Sequence, residues 1–482
     1  MQLSISTKLI ILLFLFGLVP IGTVSFIAWE AGNSLNQKVG KKFEIVAGNI
    51  SNTIDRNLFE RYGDVQAFVL NTNILRRIHW YDRSEENSIQ NLMNTLVKQY
   101  AVYDLMMMVD VEGKVIAVNN QDREGQKLNT QFIYDNQYAE ATWFQRLQNQ
   151  DFTTEQPHSA PGNSRLTGTV VEDVHIDQDV RRAYTNSDGL TLGFSAPIYE
   201  DGKIVAFWTN RTNFSVVEEI VIQAYQELKS ADFSDAEITI LDGDGAILMD
   251  YDPTKYGTET VIHDLDSVLF KVNLVKAGVK MAQEAVNGRT GFLETRHARK
   301  NIFQQGGYTH LQGFRGFSGM NWAVLVRVPS VQATAERDAI LNKVWLAALL
   351  MLGILLPVGY VIGHRATGRL SKLEIVAQEM ANGNFASRIT ALSKDEFGNL
   401  GIALNELGIK NQDVAAKAYA IAEGNFGVDV AIRGDQDTFS QALQVMIHSL
   451  REVRDMAQRV SEGNFSHGLK EKSENYQQQV MK

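Results

Sequence analysis

Two runs of twenty uncharged, mostly apolar residues, Leu9 to Ala28 and Val344 to Gly363, divide this chain. At a rise of about 1.5 Å per residue, each run makes a helix about 30 Å long, which matches the core of a bilayer. Pro20 and Pro357 fall inside them, and transmembrane helices tolerate proline. A cleaved signal peptide has a shorter apolar stretch and a small-residue cleavage site, and the first run fits neither feature. Lys8 precedes the first run; His364, Arg365, Arg369 and Lys372 follow the second. By the positive-inside rule both flanks face the cytoplasm, and residues 29–343 lie outside, in a bacterial periplasm. The expected location is the inner membrane, crossed twice.

Charge follows the same division. Residues 364–482 hold 14 Lys/Arg and 15 Asp/Glu, whereas residues 29–343 hold 31 and 41. The excess negative charge is therefore all outside. A nucleic-acid partner is excluded, because neutralising phosphates needs a cationic surface; steering favours a cationic or zwitterionic ligand. Cysteine is absent, which rules out disulfides, thiolate metal sites, iron–sulfur clusters and a cysteine nucleophile. No Gly-x-Ser-x-Gly and no phosphate-cradling glycine loop is present. His175 stands near Asp173, Asp177 and Asp179 in sequence, but not at a metal-ligand spacing. No cofactor, metal or enzymatic activity is expected.

Outside the membrane the pattern changes twice. Val39, Phe43, Val46, Ile50, Ile54, Leu58, Tyr62, Val65 and Phe68 recur every three or four residues, which predicts one long amphipathic helix to about Arg77. Period two follows. Asp104–Val118 reads strand, Glu-Gly turn, strand, and Glu237–Met249 repeats the plan around Asp242-Gly-Asp-Gly245. The second turn lacks the acidic spacing of a calcium loop and reads as a plain hairpin. Later strand pairs are expected at Leu192–Ile198 with Ile204–Thr209 and at Tyr308–Phe314 with Trp322–Val328. The implied fold class is α+β: two strand-rich units behind one helix, a distal unit at about 78–225 and a proximal one at about 230–330.

The outer segment resembles the double Cache sensor domain, a pair of PAS-like units found in bacterial chemoreceptors and related sensor kinases. The residues carrying the resemblance are Thr142-Trp-Phe144, Gly168–Asp177, Ser195-Ala-Pro-Ile198 and Gly202–Trp208. The resemblance implies that the distal unit binds a small ligand. Trp143 and Phe144 match its aromatic pair, and Asp173 and Asp177 fall where its acidic residues belong. Tyr184, Phe194 and Trp208 are further wall positions. Aromatic faces and carboxylates suit an ammonium group. Amino-acid-binding members carry an arginine two residues before the tryptophan, where this chain has Ala141, and a later acidic anchor, where it has Asn210-Arg211. An amine or another polar metabolite is the expected ligand.

Inside, Gly-Asn-Phe occurs at 383–385, 424–426 and 463–465, so modules of about forty residues repeat. Each reads helix, connector, helix. Gly383 ends the first helix, and Ser393-Lys-Asp-Glu396 reads as a capping box opening the next. Phe397, Leu400, Leu404 and Leu407 continue at spacings of three and four. Such narrow stripes need partner helices, so two helices per chain in a homodimer imply a parallel four-helix bundle. A second seam runs through Phe439, Leu443, Met446, Leu450, Val453, Ala457 and Val460. These modules resemble HAMP domains, with Gly383 as connector glycine and Asp395-Glu-Phe-Gly398 as signature; the family's early proline is replaced by Arg369-Leu370. The resemblance places HAMP modules at 364–412 and 413–454 and a partial one at 455–482. It implies that Gly383, Ser393, Glu396, Phe397, Leu400 and Leu404 relay the signal.

Together these readings describe a transmembrane signal receptor of the methyl-accepting chemotaxis type. The alternative is the sensory portion of a histidine kinase or nucleotide cyclase. A chemotaxis coupling protein and histidine kinase become partners only where an output domain follows.

Overall fold

A computed structural model describes residues 5–153, 168–390 and 393–462. The chain divides into two compact units, one of residues 24–345 and one of residues 1–23 with 346–482.

The larger unit is organised on helix α1 (Ile5–Phe68). Phe43, Ile50, Ile54, Leu58, Tyr62 and Val65 are each no more than 1% exposed. Each such side chain contributes about 1.5–3 kcal/mol relative to exposure. The helix stops at Phe68, short of the expected Arg77, because Asn71 turns the chain: its side chain accepts from the Asn73 N–H at 3.0 Å and opens a 3-10 turn over Thr72–Leu75. Asparagine competes for the backbone in this way.

The distal unit follows: α2 (Ser88–Tyr100), β1 (Tyr103–Asp110), β2 (Val115–Val118), α3 (Thr142–Gln148), β3 (Val170–Ile176), α4 (Gln178–Ala183), β4 (Leu190–Glu200) and β5 (Lys203–Asn213). Helix α5 (Ser215–Ser230) leads to the proximal unit: β6 (Glu237–Leu241), β7 (Ile247–Tyr251), α6 (Pro253–Tyr256), α7 (Lys280–Val286), β8 (Gly291–Arg296), β9 (Phe303–His310), β10 (Ala323–Pro329) and α8 (Ser330–Ala333). Both units form antiparallel five-stranded sheets with one topology, β2-β1-β5-β4-β3 and β7-β6-β10-β9-β8. The expected α+β pair is thus present. Its hairpins even turn alike: Asp110 Oδ1 accepts from Glu112 and Lys114 N–H, and Asp242 Oδ1 from Asp244 and Ala246 N–H.

Alternate residues of a strand point to opposite faces of its sheet. In the distal sheet one face packs on α1, where the Phe68 and Trp208 rings lie 6.2 Å apart. The other face holds a separate core of Leu105, Met107, Val109, Phe144 and Phe207 under α3.

His263 staples the two sheet units together. It lies 2.9 Å from Asp188 of the distal unit and 2.5 Å from Glu218 of α5. Its hydrogen bond to Glu218 outweighs partial burial, and with Asp188 raises the imidazole pKa to about 9. A raised pKa gives stability that is complete below the unfolded value of about 6.5 and is lost as pH rises through the folded one. Asp104, Asp122, Arg123 and Glu124 line the same cleft of about 340 Å³. His263→Ala should therefore lower the melting temperature near neutral pH and lose that deficit by about pH 10. A deficit equally large at both pH values would refute the staple.

In the other unit, the apolar runs lie in α1 and in α9 (Ala335–Ala381), both long and apolar enough to cross a membrane. Phe16 and Leu349 there are 72% and 67% exposed, as a lipid-facing surface requires. Helices α10 (Glu396–Ala422) and α11 (Thr438–Ser461) follow. Helix α9 and helix α10 end in the same motif. Gly383 and Gly424 take φ of +92° and +90°. Asn384 N–H reaches Glu379 O and Gly383 N–H reaches Met380 O; Asn425 and Gly424 do the same with Ala420 and Ile421. This paired bonding closes a helix at a left-handed glycine. The third Gly-Asn-Phe, at 463–465, lies outside the described residues.

Candidate functional site

Strand β5 sets the site. Its odd-numbered residues Phe207, Thr209 and Arg211 share the face away from α1, and Arg211 is the charged group buried there. Its Nη1 donates to Glu172 Oε2 at 2.5 Å and its Nε lies 2.8 Å from Asp177 Oδ2, with the side chain 6% exposed. Nη1 also reaches Thr209 Oγ1 at 3.2 Å. The guanidinium sits 5.6 Å from the Trp143 ring centroid. Gly193 on β4 makes the pairing possible: a Cβ there would stand 2.3 Å from Glu172 Oε2 and 2.6 Å from Arg211 Nη1.

The carboxylates are held from several sides. Asp177 caps α4, accepting from the Asp179 and Val180 N–H groups at 2.8 and 3.0 Å. Burial pushes its carboxyl up, but the His175 imidazole 3.8 Å away and the Arg211 charge overcome this and hold it far below the usual carboxylate range. Asp179 accepts from Tyr138 Oη at 2.7 Å and Asn136 Nδ2 at 2.9 Å. Burial raises its pKa. The Tyr138, Phe144 and Phe207 rings complete the wall, with Trp143 6.0 Å from Tyr138 and Phe144 4.9 Å from Phe207. The result is a cation between two anions beneath an indole, a charge cluster set into an apolar core.

Of the anticipated wall residues, Trp143, Phe144 and Asp177 meet at this cluster. Tyr184 instead lines the cleft beside His263 and donates to Asp104 O at 3.0 Å. Phe194 and Trp208 lie on the opposite face, in the core shared with α1. Asp173 also turns away, and its Oδ1 accepts from Trp322 Nε1 of the proximal unit at 2.9 Å. Sequence reasoning placed Arg211 only as a departure from an acidic anchor. The signal that marks it is parity, since it shares a face with Phe207 and not with Trp208.

The residues expected to relay the signal lie in the connector after α9 and in the first turns of α10. Leu373, Val376 and Met380 are buried, and the connector is pinned to α10 by Asn405, which accepts from Ile389 N–H at 2.8 Å and donates to Ile389 O at 2.9 Å. The anticipated Ser393 cap is corrected. Asp395 caps α10, accepting from Gly398 N–H at 3.1 Å, while Ser393 hydrogen-bonds to Asp395 and Arg369 pairs with it. Asp395 is favoured because a carboxylate at a helix start accepts N–H groups and opposes the dipole. Glu396 is the first residue of α10. Phe397 and Leu404 are half-buried, and Leu400 is 50% exposed. The α11 seam divides. Leu443 and Ile447 pack with Val414 and Ile421 of α10, whereas Phe439, Met446, Val453 and Val460, seven residues apart, are 43–60% exposed.

Residues 361–409 match the HAMP domain family. The transducer protein BasT of Halobacterium salinarum is 24% identical over 299 residues, which are 61% of this chain and 33% of that one; the chain thus spans about a third of that relative's length. Among solved structures, the ligand-binding domain of the Campylobacter jejuni chemoreceptor Tlp3 with 4-methylisoleucine aligns over 62% of this chain and 94% of its own, at 11% identity and a TM-score of 0.40. That of the Pseudomonas fluorescens chemoreceptor CtaA with L-leucine covers 62% and 99%, at 13% identity and a TM-score of 0.37. The two apolar helices and the HAMP domain beside the second fit a membrane protein with that domain in the cytoplasm.

Proposed function

We propose that this chain is the sensing and relay portion of a transmembrane chemotaxis receptor that acts by conformational change and not by catalysis. The observation that carries the reading is the buried Arg211–Glu172–Asp177 cluster under Trp143, on the face of the distal sheet away from α1, in a chain that also holds a HAMP domain. The ligand is a small polar metabolite with an ammonium group, held by Glu172, Asp177 and Asp179 with Trp143 and Phe144 as walls. The membrane-distal unit is the one that binds. Two copies of the chain pair, and the exposed heptad of α11 together with Leu400 and Leu407 forms the seam between them. Binding favours one packing of that seam, and a differential of about 1–3 kcal/mol suffices. Gly383, Ser393, Glu396, Phe397, Leu400 and Leu404 are the joint at which the packing changes. A chemotaxis coupling protein and a histidine kinase become partners only where an output domain follows.

The test is a thermal-shift screen of the full chain in nanodiscs against amines, amino acids, purines and organic acids. A hit should raise the melting temperature, and Trp143→Ala and Glu172→Gln should each abolish the rise. The chain has no cysteine, so Leu400→Cys reports directly: it should cross-link between copies at a rate that the hit changes. Full affinity in both distal variants would reject the site, and a Leu400→Cys chain that forms no cross-link between copies would reject the dimer.

A further inference from the structure

The proximal unit holds a second buried charge cluster, on the same face and in the same register as the distal one. On β5, Arg211 pairs with Leu105; on β10, Arg327 pairs with Glu237. Both partners stand five residues before the aspartate of their hairpin turn. Arg327 is 1% exposed and donates to Thr239 Oγ1 at 2.6 Å, with Glu237 Oε2 3.6 Å away. Its Nε makes no hydrogen bond among the described residues, and Glu237 Oε2 faces the buried His297 Nε2 at 3.2 Å. Asp250 and Asp252 complete a set of three carboxylates, each no more than 3% exposed.

The distal cluster is built from its own sheet and α4. The proximal cluster is filled differently. The β8–β9 loop folds back on His297, whose Nδ1 accepts the Arg299 and Lys300 backbone N–H groups at 2.9 and 2.7 Å. That grip aims Lys300 inward. Its Nζ bonds Glu237 Oε1 and lies 2.8 Å from Asp252 Oδ2, while Arg299 reaches Asp250 at 2.5 Å. A cleft of about 490 Å³, lined by Val279, Thr295, His297, Arg299 and Lys300 among others, opens beside the loop. The Lys300 side chain is 30% exposed, although both its anions are buried.

An ammonium on a four-carbon stem, entering from a cleft and held between two buried carboxylates, has the contacts of a bound primary amine. We propose that Glu237 and Asp252 form a primary-ammonium site in the proximal unit, and that Lys300 occupies it from within the chain. The site goes beyond the distal reading and does not need it. A tethered occupant acts at an effective concentration on the order of millimolar. A free alkylammonium therefore competes only above that range in the native chain, and binds without competition once the lysine is removed. Three N–H donors are required, so a quaternary ammonium of similar size should not substitute.

The experiment uses the full chain in nanodiscs. Lys300→Ala should lower the melting temperature by roughly 6 °C or more, since two buried carboxylates lose their cation. n-Propylammonium should restore at least half of that loss, tetramethylammonium none. Adding Trp143→Ala should leave the rescue unchanged, which separates this site from the distal one. A Lys300→Ala chain as stable as the native one, or one whose melting temperature ignores n-propylammonium, would overturn the proposal. The native chain supplies a second measurement should the variant not fold. Acetylation of Lys300 relative to the exposed Lys127 of the same sample, read by peptide mass spectrometry, should rise several-fold in excess n-propylammonium and not in tetramethylammonium; an equal ratio in both would also overturn it.

Discussion

Gly307→Val should abolish stable folding of the proximal unit. Gly307 lies on β9, where the sheet meets α1 backbone to backbone. A Cβ at this position would stand 2.1 Å from Glu44 N and Phe43 C and 2.3 Å from Phe43 O. These are main-chain atoms within a helix, so no rotamer change relieves the clash. Helix α1 would have to retreat, taking Phe43 and Ala47, both 0% exposed, out of the core. Overpacking alone costs about 1–3 kcal/mol; with the lost burial of Phe43 the expected deficit is about 4 kcal/mol or more. That is a large part of a typical domain's total stability. Gly48→Ala on the same helix is the control. No atom lies within 4 Å of its ideal Cβ, so the change should stabilise by about 0.5–1 kcal/mol through helix propensity. Thermal melts and protease resistance of the two variants should move in opposite directions. A stable, protease-resistant Gly307→Val chain would mean that α1 does not seat on β9 as described.

The contrast between those two glycines shows where sequence reading works and where it stops. The apolar stripe from Phe43 to Phe68 was legible because a helix repeats every 3.6 residues and needs no distant information. The two hairpins were legible through their turns, and the connector at Gly383 through a local need for positive φ. What was not legible depends on parity and on long-range partners. Trp208 and Arg211 are three residues apart on one strand and so face opposite ways. The aromatic residue looked like the wall, yet the charged one is at the cluster. Asp173 reads as an acidic pocket residue until Trp322, far along the chain, takes its carboxylate. The proximal cluster left no motif, because its anions come from β6 and β7 and its cations from the β8–β9 loop and β10. The cap of α10 failed on a finer scale: Ser393 and Asp395 are both good caps, and two residues' difference in helix start chooses between them.

Arg211→Ala should destabilise the distal unit by about 3–5 kcal/mol near neutral pH, the usual result of removing one partner from a buried ion pair. The loss is the cost of leaving Glu172 and Asp177 without their cation in a site largely shut from water, more than the worth of the pair itself. Its pH dependence identifies the cause. In the native chain the carboxyl of Asp177 is held far below its ordinary value. A depressed acid contributes stability that is present above the unfolded pKa of about 3.9 and lost only as pH falls through the lower folded one. Without Arg211, the burial of Asp177 is less opposed and its carboxyl rises. Protonation then relieves the variant, so its deficit relative to the native chain should shrink as pH falls toward about 4. Arg211→Lys should recover part of the loss, since an ammonium keeps the charge but cannot span two carboxylates as a planar fork does. Arg211→Met combined with Glu172→Gln and Asp177→Asn should recover more, because no buried charge then lacks its partner. Urea melts of these chains at several pH values decide the matter: a deficit that does not change between neutral and mildly acidic solution would show that Arg211 acts through packing, and that the anions around it are not the reason the site holds charge.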